Sequence, residues 1–238
     1  MWRSIVTTAG VLAALSSAAP AAAQDQTVSF NLGYFALRGV DSRASGDVLN
    51  ANRCIDSTVS CEPLLFEVND FNNVSVGAEW LIGLGRLFEA GAGISYYQRT
   101  VPTVYEGLTN VNGSEIEQEL KLRTVPISAT VRFVPTGRRS PFQPYIGVGV
   151  TFINWHYSEV GSFVDTSTGE IFNARYVADG TDTGPVVLGG IRGFMGDNFL
   201  IGGEVRWQSA EGSLPNDFVG DRIDLGGFTY QGVFQVRF

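Results

Sequence analysis

The chain contains few of the side chains from which metal sites and hydrolytic centres are built. Its 238 residues include one histidine, two cysteines and a single lysine, Lys121. So few imidazoles and thiols argue against a metal site, and we expect neither a metal nor another cofactor. The formal net charge of −8 argues against a nucleic-acid partner, because such partners select for a basic surface.

Long apolar runs are missing beyond the amino-terminal segment. No stretch after residue 24 reaches the ~18 consecutive apolar residues of a transmembrane helix, which excludes a helical membrane protein. Arg3 is the only charged residue among the first 24, and the apolar run Ile5–Leu15 leads to the small-residue site Ala21–Ala23. This order predicts a cleaved secretory signal peptide over residues 1–23 and a mature domain over residues 24–238.

The chain does contain regular alternation of apolar and polar residues, most clearly at its carboxyl end. Phe228, Tyr230, Phe234, Val236 and Phe238 occupy even positions, and threonine, glutamine and arginine stand between them. Alternation with a period of two gives a strand one apolar and one polar face. An edge strand closing a soluble sandwich is one interpretation, and a membrane strand between lipid and a polar lumen is the other.

The same alternation recurs along the chain and favours the membrane interpretation. Short turns alternate with long, polar, mostly acidic connections, as in up-and-down barrels with short periplasmic turns and long outer loops. The sequence therefore predicts an all-β, antiparallel transmembrane barrel of eight strands with both termini in the periplasm. The sixth strand has the weakest alternation of the eight, because Pro185 and several glycines interrupt the pattern. The predicted ranges are 27–38, 72–82, 87–101, 117–134, 142–157, 184–194, 199–208 and 222–238.

The carboxyl-terminal strand resembles the insertion signal of Gram-negative outer-membrane barrels. That signal is a terminal aromatic residue with apolar residues two, four and eight positions earlier, here Phe238, Val236, Phe234 and Tyr230. The stretches Pro126–Phe133 and Pro144–Val150 look like the middle strands of an outer-membrane β-barrel domain. The mature chain thus resembles the small eight-stranded barrels of the OmpA, OmpX and opacity-protein group. The resemblance implies an outer-membrane location, insertion by the barrel-assembly machinery, and a monomer in contact with lipid and lipopolysaccharide.

The resembled fold hosts several functions, so the function has to be argued from residues. A structural or cell-surface interaction role is the first hypothesis. A narrow channel or hydrophobic-ligand transporter is the second, and a lipid-A-modifying enzyme is the third. His156 can share a strand face with Ser158 but not with Glu159, which argues against a catalytic triad. We therefore predict no catalytic residue and no enzymatic activity.

Charged residues on the polar strand faces point into the predicted lumen. An eight-stranded barrel is just wide enough for side chains to fill it, and unpaired charges there would be costly. The sequence thus predicts a mutually neutralising network that plugs the barrel, with a proton or ion path as the alternative. The network consists of Glu79, Glu89, Arg132, Arg192, Glu204 and Arg206.

Two pairs of residues in the outer part of the chain complete the candidate sites. Cys54 and Cys61 are close in sequence, and such a pair in an exported protein predicts a local disulfide. Lys121 and Arg123 share the parity of outward-facing residues just above the lipid band. There they are suited to lipopolysaccharide phosphates, and solvated charges on a strand extension are the alternative.

The loop regions carry two further predictions. Aromatic residues near the strand ends, Trp155 and Trp207 among them, predict interfacial girdles at the two membrane surfaces. Strand-like content on both sides of a Thr-Ser-Thr-Gly turn predicts a hairpin over residues 161–177 that projects beyond the membrane.

Overall fold

The computed structural model describes residues 25–54, 63–165 and 167–238. Within them, eight antiparallel strands close into a ring in the order β1-β10-β7-β6-β5-β4-β3-β2, which confirms the predicted up-and-down barrel. Two short strands, β8 and β9, form a separate pair. The strands are β1 (Gln26–Leu37), β2 (Asn73–Leu84), β3 (Phe88–Thr109), β4 (Glu115–Phe133), β5 (Phe142–Val164), β6 (Ile171–Phe194), β7 (Phe199–Gln208), β8 (Glu211–Ser213), β9 (Arg222–Asp224) and β10 (Gly227–Arg237).

The carboxyl-terminal strand closes the ring. β10 pairs antiparallel with β1 from Thr27↔Arg237 to Leu37↔Gly227, and with β7 on its other side. The backbone N–H of Gln26 donates to the carbonyl of Phe238 at 3.0 Å, so the two ends of the ring meet beside the short turns. The predicted signal peptide lies outside the described residues and stays a prediction.

Apolar side chains on the outer face form a continuous band around the ring. Their exposed fractions reach 64% at Leu32 and 66% at Ile146, values that a soluble protein avoids over a large contiguous patch. Such a band is suited to lipid, so the barrel is a transmembrane one. The band includes Phe30, Leu32, Val76, Trp80, Phe88, Ile94, Ile127, Val131, Ile146, Val148, Val187, Ile191, Phe199, Ile201, Tyr230 and Phe234.

Four strands, β3 to β6, extend well above this band on the loop side. β5 and β6 stay paired from Phe142↔Gly193 to Val164↔Ile171, so the outer connection 158–183 is mostly a long hairpin, which includes the hairpin predicted over residues 161–177. The sixth strand is therefore one of the longest, although its glycines and Pro185 weaken the sequence pattern. The predicted eighth strand is wrong at its start, because Arg222–Asp224 leaves the ring and pairs with β8 instead.

The mouth of the barrel has an apolar core of its own. Outer loop 1 (residues 38–72) contributes helix α1 (Val48–Ala51), and outer loop 4 (residues 209–226) contributes β8 and β9. The expectation of simply polar loops is wrong, because their apolar residues have no strand period and escape a search for alternation. None of the described helices is long and apolar enough to cross a bilayer. The mouth core includes Phe35, Val48, Leu49, Phe71, Tyr97, Leu120, Leu122, Trp155, Tyr157, Phe218, Ile223 and Leu225.

Trp155 belongs to this core and not to the outer girdle in which the sequence placed it. Its side chain is only 2% exposed, and its Nε1 donates to the Asp182 carboxylate at 2.6 Å. A Cβ built on Gly180 or Gly212 would come within 2.9 Å or 2.5 Å of the indole ring. The two glycines therefore give Trp155 the space it occupies, and its odd position on β5 turns it inward.

Candidate functional site

The centre of the lumen is occupied by a balanced set of four charges. Arg132 forms ion pairs with Glu79 and, at 3.0 Å, with Glu204. Arg206 lies 3.2 Å from Glu204 and 3.5 Å from Glu79, so each carboxylate contacts both guanidiniums. The hydroxyl of Tyr145 donates to Glu204 at 3.0 Å. Two positive and two negative charges thus neutralise one another across strands β2, β4 and β7.

A second cluster lies nearer the short-turn end and is built around Glu89. Its carboxylate is 2.6 Å from Arg192, 3.2 Å from Arg138 and 3.7 Å from Arg237. Arg138 comes from the turn between β4 and β5 and also donates to the backbone carbonyls of Gly85 and Asp25. This side chain therefore ties the turn across the short-turn end of the barrel.

The six charges predicted for the lumen fall into these two clusters. The ring of Tyr145 lies between them, with its centroid 5.1 Å from the Arg132 guanidinium and 5.2 Å from that of Arg192. The sequence analysis missed Arg138, since a turn residue has no strand parity. It also missed Arg237, although its polar parity on β10 pointed inward.

A small polar cavity separates the central charges from the mouth core. The volume of this cavity is about 20 Å³, enough for about one water molecule. Ser75, Ser95, Gln208 and Gln231 line it, with Arg206 at its floor and Tyr97 at its top. A lipid chain or a drug-sized ligand needs roughly 300 Å³ or more, so this cavity does not fit such a ligand.

Outer loops 1 and 4 are joined by a buried ionic clamp. Arg43 donates through Nε to Asp47 at 2.6 Å and through Nη2 at 2.9 Å. Asp47 in turn accepts from the backbone N–H of Asp224 at 2.7 Å and caps α1 through Leu49. Arg38 pairs with the Asp224 carboxylate at 3.1 Å. The clamp holds the two loops together where they cover the barrel mouth.

Glu159 is a buried carboxylate at the place where loop 1 meets β5. It accepts hydrogen bonds from Asn52 at 2.6 Å and from the Tyr157 hydroxyl at 2.9 Å. None of the described cations lies within ion-pair distance of it. Burial raises the pKa of the Glu159 carboxyl above its usual range, and the two hydrogen bonds offset part of this effect.

The raised pKa of Glu159 makes the docking of loop 1 dependent on pH. The stabilising contribution of the neutral carboxyl is complete below its ordinary pKa and is lost as the pH rises through the raised pKa. We expect hydrogen exchange in residues 48–53 to accelerate over that interval. Glu159→Gln should remove the pH dependence, since the amide stays neutral. An equal dependence in the glutamine variant would assign it to another group.

Lys121, Arg123 and His156 lie together on the outer face above the lipid-facing band. Arg123 is opposite His156 in the β4–β5 register, and His156 is opposite Asp179 on β6. Burial and the neighbouring Arg123 guanidinium hold the pKa of His156 below its usual value. Glu159 faces inward instead, as its parity predicted, so it forms no triad with His156 and Ser158.

The other predicted site residues are placed as follows. The side chains of the insertion signal lie on the lipid-facing side, with Tyr230, Phe234 and Phe238 exposed by 53%, 39% and 67% and Val236 half-buried. Cys54 ends the first described part of loop 1, residues 38–54, and Cys61 lies outside the described residues, so the disulfide stays a prediction. The described residues contain no group of three or more potential metal ligands.

Comparison with known proteins gives a likeness of fold. No family model and no curated protein matches the chain. Neisserial surface protein A is 11% identical with a TM-score of 0.46, covering 90% of this chain and 97% of that chain. The amino-terminal barrel of Pseudomonas aeruginosa OprF is 10% identical, with a TM-score of 0.44 and coverage of 90% and 97%. Yersinia pestis Ail, the attachment invasion locus protein, has 10% identity, a TM-score of 0.44 and coverage of 90% and 99%.

Proposed function

We propose that the protein is a closed outer-membrane barrel that acts at the cell surface through its loop-bearing end. The observation that carries this proposal is the filling of the lumen at three levels by the Glu89 cluster, the four central charges and the mouth core. A barrel filled in this way anchors and shapes the structure above the membrane. The strands that extend above the membrane and the clamped loops then form the surface that interacts with partners outside the cell.

The same packing speaks against the two other hypotheses. A channel needs a continuous water-filled path, whereas Arg132 and Arg192 are each 1% exposed and hold paired carboxylates across the lumen. A transporter of hydrophobic ligands needs a large apolar cavity, and the cavity in the described barrel is small and polar. A triad of Ser158, His156 and Glu159 would need all three side chains on one face, and His156 and Glu159 lie on opposite faces of β5.

Single-channel recording tests the closed barrel. The wild-type protein in a planar bilayer is expected to show no steady conductance. The double variant Arg132→Ala, Arg206→Ala should leak, because it removes both guanidiniums that bridge Glu79 and Glu204. A matched surface variant, Arg222→Ala, should stay closed. Steady conductance of the wild type, with a selectivity that changes in the double variant, would show that the charges form an ion path and not a plug.

We further propose that Lys121 and Arg123 contact lipopolysaccharide phosphates beside the outer leaflet. The two side chains stand two residues apart on β4, directly above the apolar Val125 and Ile127 on the same face. Guanidinium and ammonium groups at that depth suit anionic headgroups.

The test is stabilisation by lipopolysaccharide in reconstituted vesicles. Lys121→Ala with Arg123→Ala should lose most of the increase in unfolding temperature that lipopolysaccharide gives to the wild type, while stability in neutral lipid stays unchanged. Arg139→Ala, an exposed cation at the opposite end of the barrel, is the control. Undiminished stabilisation in the double variant would leave the two cations as solvated charges.

A further inference from the structure

The raised part of the barrel wall has one covered edge and one open edge. On the β3 side, loop 1 supplies a partner: the Leu65 N–H donates to Val104 at 2.9 Å, and Glu106 donates to Pro63 at 2.8 Å. On the β6 side, pairing with β7 begins only at Val186. No strand among the described residues pairs with that side of β6 from Ile171 to Ala178.

The strand parity determines which residues of β6 direct their backbone N–H and C=O groups to the open edge. The carbonyl of Pro185 accepts from Ser209 on the β7 side, whereas the carbonyl of Gly180 faces Asn154 on β5. Odd residues of β6 therefore direct both N–H and C=O away from β5. Exposed strand edges of this kind are templates for pairing with another chain.

The side chains along this edge are complementary to those of the same edge in a second copy of the protein. Val177 is 40% exposed, and Arg175 and Asp179 are exposed on either side of it. If two copies of β6 pair antiparallel with Val177 opposite Val177, Arg175 of each copy stands opposite Asp179 of the other. Opposite charges directly across an antiparallel pair are favourable, and each facing pair of odd residues exchanges two backbone hydrogen bonds.

The direction of β6 determines where such a pair can form. Two barrels in one membrane carry their β6 strands in the same direction, from the loop end towards the short turns. Antiparallel pairing therefore requires two barrels whose loop ends face each other. We propose that the open edge of β6 (Arg175–Asp179) is a self-recognition surface that joins copies of this protein on two apposed membranes. This inference rests on the proposed function, which places the loop end outside the cell.

Charge reversal in nanodiscs that each carry one barrel tests this inference. Analytical ultracentrifugation of the wild type is expected to show paired nanodiscs. Arg175→Asp alone and Asp179→Arg alone place like charges opposite each other, and each should associate about tenfold more weakly or not at all. Mixing the two single variants restores both opposite-charge pairs, so the mixture should pair. The double variant with both substitutions should again pair with itself.

A backbone variant separates edge pairing from general surface charge. Val177→Pro removes one N–H from the open edge and leaves the groups of Tyr176 and Ala178 that face β5, as proline is tolerated on such edges. It should weaken pairing while heat-modifiable migration on gels stays intact. Wild-type nanodiscs that remain single, or mixed single variants that fail to pair, would overturn the inference and leave the edge charges as protection against pairing. Membrane insertion and channel closure, measured separately, would still support the proposed function in that case.

Discussion

Replacing Arg132 by leucine is expected to lower the free energy of unfolding by about 3–5 kcal/mol, the usual cost of removing one partner from a buried ion pair. Arg132 is 1% exposed and contacts both Glu79 and Glu204. Without it, the two central carboxylates share the single guanidinium of Arg206, and the central set of charges keeps one excess negative charge. Urea unfolding in lipid vesicles, followed by heat-modifiable migration, measures the loss.

A second substitution shows whether this loss comes from charge imbalance. Arg132→Leu combined with Glu79→Leu leaves Glu204 paired with Arg206 at 3.2 Å and restores neutrality. The double variant should recover most of the stability, because apolar replacement of a whole buried ion pair is often close to neutral. A double variant as unstable as the single one would assign the effect to packing around Tyr145.

Asp47→Ala is expected to release the barrel mouth while the transmembrane ring stays folded. Asp47 has no exposed side-chain surface, binds Arg43 through two hydrogen bonds, caps α1 and accepts from the Asp224 backbone. Its loss leaves a buried guanidinium without its carboxylate, at a cost of about 3–5 kcal/mol. Limited proteolysis should then cut outer loops 1 and 4, with hydrogen exchange in both loops accelerated.

The matched control for this clamp is an exposed ion pair in the same loop. Arg222→Ala removes contacts to Glu211 and Asp221 at the surface and should change neither proteolysis nor exchange appreciably. Asp47→Asn retains the cap and part of the hydrogen bonding, so it should fall between the wild type and the alanine variant. Protected loops in Asp47→Ala would show that the mouth core holds them without the clamp.

The sequence by itself determined the ring and the direction of its side chains. A strand has a period of two, so the parity of Phe234 and Gln235 already separated the lipid face from the lumen face. The same parity predicted which charges point inward, and the structure places Glu79, Arg132 and Glu204 together there. Closure follows because a lipid-exposed edge would leave backbone groups without partners.

Only the tertiary structure decided how the ends of the barrel are closed. Arg138 reaches Glu89 from a turn, and α1 enters the mouth from a loop, where no period governs the direction of side chains. The clamp of Arg43, Asp47 and Asp224 joins two loops that are distant in sequence. Asp47 and Asp224, which contact each other in it, are 177 positions apart. Local patterns do not encode such contacts, because burial of the mouth core fixes them after the ring has brought the loops together.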